Sequence, residues 1–352
     1  MPVDDFGPSS LGPVRRVVLG RAPGPVLELL DLGATVHRLW VTGGDGVRRD
    51  VALGHPDPEA MLAGTDYLGG TIGRYANRIA HGRFALDGEE VQVGLVDRGH
   101  HLHGGPDGFD RRIWTLAAHD ASRAVLRLTS PDGDQGFPGR LEVTARFEVG
   151  DDRVVLDLEA TTDALTVVNL TSHLYLNLEG EGSGTVDHHR LRVAASSFLP
   201  TDETGIPLPG PPAPVAGTPF DLREARAVGE VVRQDHPQLL ACRGIDHDYV
   251  LDGPSEPDAA GGAVRPVAWL EAPRVATGVE LSTDQPGLQV YTGNGLDGTV
   301  PSTTGGRHRQ GDGVALEPQR HPDTPNRADL GDARLRPGET YRCRVQWRFH
   351  AL

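Results

Sequence analysis

Residues 69–105 concentrate side chains suited to holding a polar ligand. Gly73-Arg74-Tyr75-Ala76-Asn77-Arg78-Ile79 sets an amide beside a guanidinium, and His100-His101-Leu102-His103-Gly104-Gly105 sets three imidazoles beside a glycine pair. Such groups supply directional donors and acceptors, and glycines let a ligand approach the backbone closely. Three further clusters carry ionisable groups. Residues 171–178 read Thr-Ser-His-Leu-Tyr-Leu-Asn-Leu; as a strand they put His173, Tyr175 and Asn177 on one face and Leu174, Leu176 and Leu178 on the other. In Arg243-Gly244-Ile245-Asp246-His247-Asp248-Tyr249 the two aspartates share a face if the segment is extended. Finally, Ala315-Leu316-Glu317-Pro318-Gln319 closes an apolar run with a carboxylate, ahead of His321-Pro322-Asp323-Thr324-Pro325-Asn326. Each cluster has a bland alternative: a solvent-facing strand, acidic loop residues, or a solvated strand end. In a cavity, the same carboxylate can act as a base.

The elements that must position these groups read as strands. Apolar residues alternate with polar ones at Leu141, Val143, Ala145, Phe147 and Val149, and again at Tyr341, Cys343, Val345, Trp347 and Phe349. Residues 154–160 and 124–128 are further strand candidates, and Phe84-Ala85-Leu86, Asp87-Gly88 and Val91-Gln92-Val93 read as a hairpin on a two-residue turn. One helix is expected near residues 222–233, behind an Asp221 cap. Pro-rich loops at 207–214 and 253–262 interrupt the pattern without the composition of an interdomain linker. The expectation is an all-β chain, one large antiparallel β-sandwich domain over residues 1–352 with few short helices.

Composition narrows the partners. Glycine (46) and proline (28) together make up about a fifth of the 352 residues, against a usual share of about 12%. That suits short strands joined by many turns. The net charge of −15 opposes nucleic acid and anionic membrane surfaces, both of which need a basic face. The chain has no lysine, so its permanently cationic side chains are all arginine, which has no functional reading here. Cys242 and Cys343 make no disulfide framework, the N-terminus shows no basic segment followed by an apolar run, and no stretch approaches about eighteen apolar residues. A soluble, cytoplasmic protein is expected.

Taken together, the motifs resemble those of the aldose 1-epimerases, or galactose mutarotases, nearly end to end. After the 73–79 and 100–105 segments come Gly108-Phe109-Asp110 with Trp114, Gly136-Phe137-Pro138-Gly139, and the 172–178 segment. Pro200-Thr201-Asp202-Glu203, Gly217-Thr218-Pro219-Phe220-Asp221 and Gly244-Ile245-Asp246-His247 follow. Gln285-Pro286-Gly287, Tyr291-Thr292-Gly293-Asn294, Leu316-Glu317 and Pro322-Asp323 complete the series. The resemblance implies a β-sandwich of the galactose mutarotase type with a monosaccharide site in an open cleft. It implies Glu317 as base and His173 as acid in opening and reclosing the sugar ring, with no metal or cofactor. Arg78, His103 and Asp246 would anchor the sugar, with Asn77 and Gln285 in weaker supporting roles. Leu174, Leu176 and His100 depart from the common pattern and bear on pocket shape.

Three rival readings remain. A metal site at His100, His101 and His103 lacks a cysteine or acidic partner at ligand spacing. A hexose-6-phosphate 1-epimerase on the same fold would need several arginines converging on the phosphate. A non-catalytic carbohydrate-binding protein would be expected to lack Glu317 or His173, and both are present.

Overall fold

The alternating segments form antiparallel strands that pair edge to edge in a broad sheet. The computed structural model describes residues 3–254, 256–257 and 263–352, so most of the expected 253–262 loop lies outside the described residues. Leu141–Val149 pairs with Arg153–Thr162, which pairs with Tyr341–Ala351, which pairs with Thr277–Thr283. Register stacks Phe147 on Leu156 and Leu156 on Val345, all buried, while charged neighbours such as Arg146 and Asp157 form the other row. The expected hairpin is present: Arg83–Leu86 pairs with Glu89–Gln92, and Asp87 and Gly88 both take positive φ (49° and 89°), as a type I′ turn requires.

A second sheet of six strands carries the site. Its order is Tyr175–Leu176, Val314–Gln319, Gly287–Tyr291, Asp246–Leu251, Ala195–Phe198, Ala213–Pro214. A third, five-stranded sheet is built from the first fifty residues. One apolar cluster joins all three, with Leu19 and Leu29 from the five-stranded sheet, Phe147 and Trp347 from the broad sheet, and Leu288, Val290 and Leu316 from the six-stranded sheet. Each such buried aliphatic or aromatic side chain contributes about 1.5–3 kcal/mol of hydrophobic stabilisation. The protein is therefore an all-β sandwich of packed sheets with three short helices among the described residues. None of these helices is long and apolar enough to cross a membrane.

Two expectations need correcting. The helix near 222–233 is confined to Val228–Val232, and its N-cap is Ala227, not Asp221. Arg226–Ala227 pairs instead as a short strand with Arg190–Val193, and Asp221 forms an ion pair with Arg223. Sheet pairing outweighs the weak local helix preference there. The row at 171–178 is also not one strand: Thr171–Ser172 pairs with Thr71–Ile72, whereas Tyr175–Leu176 pairs with Val314–Gln319. The polar residues of the row are buried, so it is not a solvent-facing strand.

Candidate active site

The six-stranded sheet turns its second face into an open cleft of about 270 Å³. Alternation decides what each strand offers: Leu288, Val290 and Leu316 point into the core, so Gln289, Tyr291 and Glu317 point the other way and line the cleft. Register aligns Asp248 with Gln289 and Gln289 with Glu317, while Asp246 lies opposite Tyr291. Gln289 Nε2 donates to Asp246 Oδ1 at 2.6 Å, fixing that carboxylate at the cleft wall.

Residues 69–105 form the opposing wall by a different route. Asn77 and His103 both adopt left-handed backbone, with φ of 62° and 51°. The Asn77 side chain accepts from Arg78 N–H at 2.8 Å, and Asn77 N–H donates to His103 Nδ1 at 3.1 Å. Because His103 Nδ1 accepts, the neutral ring carries its proton on Nε2 as a donor. Glycine is required at 104, where φ is +93° and a Cβ would collide with the Gly73 carbonyl. Arg78 is almost fully buried and donates through Nε to Asp97 Oδ2 at 2.8 Å. Burial disfavours its charge, but Asp246 and Asp97 outweigh this and raise its pKa.

His173 and Glu317 meet at the floor, with Nε2 and Oε1 3.6 Å apart. Tyr67 stacks on the His173 ring at 5.7 Å between centroids, Tyr175 lies at 4.9 Å, and the edge of His103 at 5.2 Å. These rings bury the His173 imidazole. Burial lowers the His173 pKa to about 4 and holds the His103 imidazole well below its usual value, so both rings are neutral near pH 7. Burial likewise lifts the Glu317 carboxyl well above the usual range, reinforced by Asp246 and Asp248 and opposed by Arg78. The two shifts run in opposite directions: burial favours a protonated Glu317 and a neutral His173.

The structure thus brings together Asn77, Arg78, His103, His173, Asp246 and Glu317. It leaves Gln285 outside the cleft: its Nε2 donates to Asp284 Oδ1 and to the Arg342 carbonyl, pinning the turn before the Gly287–Tyr291 strand. The glutamine that reaches the cleft is Gln289, and the signal for it was a polar residue between Leu288 and Val290. Tyr67 and Asp66 were also missed. Tyr67 reaches the site through a turn with φ of 58°, which leaves no periodic trace in the sequence. Leu174 and Leu176 belong to the core and His100 accepts from His81 N–H, so these departures do not line the pocket.

The three-histidine metal cluster does not form. His101 is committed to the Gly94 carbonyl and Gly104 N–H, and His100 to His81 N–H. His103, His173 and Glu317 do place one potential ligand atom each within 4.8 Å of the others. The His103 tautomer opposes metal binding there, because its Nε2 carries hydrogen rather than a free lone pair.

Comparisons with known proteins agree with this architecture. The family model for aldose 1-epimerase matches residues 15–348. The aldose 1-epimerase of Escherichia coli (strain K12) is 38% identical over 342 residues, covering 96% of both chains. Human galactose mutarotase is 37% identical over 315 residues, covering 90% of this chain and 88% of its own. The crystal structure of galactose 1-epimerase from Lactobacillus acidophilus superposes with a TM-score of 0.85 at 31% identity, covering 99% of this chain and 98% of the other. The chain belongs to the aldose 1-epimerase family.

Proposed function

We propose that this isomerase interconverts the α and β anomers of free hexoses such as glucose or galactose, with Glu317 and His173 as its acid–base pair. Ring opening removes the proton from the anomeric hydroxyl, delivers a proton to the ring oxygen and breaks the C1–O5 bond. Glu317 takes the first proton and His173 gives the second. Rotation about C1–C2 presents the other carbonyl face, and closure reverses both transfers. Opening starts from the less favoured form of the pair, Glu317 ionised and His173 protonated, and leaves Glu317 protonated and His173 neutral, the arrangement that burial favours. Arg78, His103, Asp246 and Gln289 hold the sugar hydroxyls, and Asn77 keeps Arg78 and His103 in place.

The observation that carries this reading is the 3.6 Å His173–Glu317 approach at the floor of a polar cleft. Free sugars suit it better than phosphosugars. Arg78 is the one arginine lining the cleft among the described residues, against Asp66, Asp246, Asp297 and Glu317. A phosphate would meet more negative than positive charge. A cytoplasmic setting belongs to the same proposal, supported by two cysteines that are both unpaired.

The test is polarimetry on freshly dissolved α-D-glucose and α-D-galactose, with glucose 6-phosphate run in parallel. Acceleration with the free sugars is expected. If no free aldose is accelerated over buffer, the reading fails; a clear preference for the phosphosugar would move it to the hexose-6-phosphate alternative.

A further inference from the structure

The proton transfers above make no use of a second buried ionisable pair on the same sheet face. His321 Nδ1 donates to Asp248 Oδ2 at 2.6 Å, with the two side chains only 6% and 1% exposed. Asp248 stands opposite Gln289, and Gln289 opposite Glu317, so the two carboxyls lie two strands apart in one register row. The pair occupies space that glycine leaves free: a Cβ on Gly287 would sit 2.6 Å from Asp248 Oδ1 and 2.8 Å from His321 Nδ1. Asp248 Oδ1, Gln289 Oε1 and Glu317 Oε2 are all buried without a hydrogen-bond partner among the described residues. His321 is thus the one hydrogen-bond partner of the Asp248 carboxyl among those residues.

We propose that Asp248 and His321 form a positioning pair that sets how readily Glu317 ionises: the aspartate opposes its ionisation, and the histidine limits that opposition. The inference rests on Glu317 being the catalytic carboxyl proposed above. The groups acting on Glu317 are Asp246 and Asp248 from one strand and Arg78 from the opposite wall, with His173 in contact and the Tyr175 and Tyr291 hydroxyls nearby. His321 is faced by Asp248. Burial disfavours a charged His321, but the charge of Asp248 and its hydrogen bond outweigh this and raise the imidazole pKa. When His321 is protonated its charge offsets that of the aspartate; without the histidine that offset is lost.

The two members of the pair therefore have opposite effects. His321→Gln leaves Asp248 without a counter-charge, and Glu317 holds its proton to higher pH. Asp248→Asn removes the repulsion, and Glu317 releases its proton at lower pH. Across two strand spacings, roughly 10 Å, at an effective dielectric near 20, each shift is about one pH unit. The double variant carries no charge at either position and should match Asp248→Asn.

The experiment compares the alkaline limb of kcat/KM for the wild type and the three variants by polarimetry, with the spontaneous rate subtracted. In parallel, carbon NMR of carboxyl-labelled protein follows the titration of Glu317 directly, its resonance identified by loss in Glu317→Gln. Opposite displacements in the two single variants are expected in both measurements. Curves that overlay the wild type, or move in the same direction, overturn the proposal and leave the pair a structural one, even if melting temperatures fall. If the wild type does not accelerate mutarotation while the NMR shifts remain opposite, the functional reading fails and the coupling stands.

Discussion

The two walls of the cleft are made in different ways. The sheet wall places Asp246, Gln289 and Glu317 by register, with Gln289 and Glu317 each one step from a core residue on its own strand and Gln289 bonded to Asp246. The loop wall places Asn77, Arg78 and His103 by left-handed backbone and by side chains bonded to main chain. A strand position is over-determined, because a slip of one residue would bury Glu317 in the core and expose Leu316. A loop position depends on a few specific bonds. On the proposed roles, the wall with the stronger positional constraint also carries the base, where small displacements cost most.

Substitutions can break that comparison, starting with the largest expected effect. Glu317→Gln keeps shape and register but removes the base, and kcat should fall by about 10³-fold with KM little changed. His173→Ala should follow, with a loss of about 10²–10³-fold in kcat. Equal rates for either variant and the wild type in a polarimetric assay would remove that residue from the mechanism. On the loop wall, Arg78→Lys loses the Nε–H that donates to Asp97, and KM should rise by about tenfold while kcat changes less. A kcat loss matching that of Glu317→Gln would show that both walls serve the chemistry equally.

The pH profile sharpens the same contrast. His173 is lowered to about 4 and Glu317 is raised, so the singly protonated pair forms as pH rises through about 4 and lasts until Glu317 ionises. kcat/KM should therefore fall as pH drops through about 4, and its upper limb should lie above the ordinary carboxylate range. A bell centred near the free imidazole value of about 6.5 would contradict the burial argument. The smallest effect is expected at Gln285→Ala, within about twofold of wild-type kcat/KM, whereas Gln289→Ala should raise KM by about tenfold. The reverse ranking would overturn the placement of the two glutamines.

Much of this was legible in the chain. Period-two alternation located Leu141–Val149 and Tyr341–Ala351 because each strand buries one face, and Asp87-Gly88 announced its turn because both residues tolerate positive φ. The short helix was misread because Arg226 and Ala227 found a strand partner distant in sequence, which no local window contains. Gln285 and Gln289 were confused for a similar reason. Both are glutamines near one strand, and only pairing shows which one stands on the row between Asp248 and Glu317.

Neighbouring residues already encode the chemical inventory: strands with one apolar face, a glycine-bracketed Asn-Arg and His-rich pair of segments, and a carboxylate and an imidazole capable of acid–base work. Local sterics and alternation write these properties into adjacent residues. Strand pairing across the fold settles that Glu317 and His173 approach within 3.6 Å, that both are buried at the cleft floor, and that Asp248 pairs with His321. Those outcomes depend on which strands become neighbours and on the dielectric their packing creates, and both arise from contacts between residues far apart in the chain.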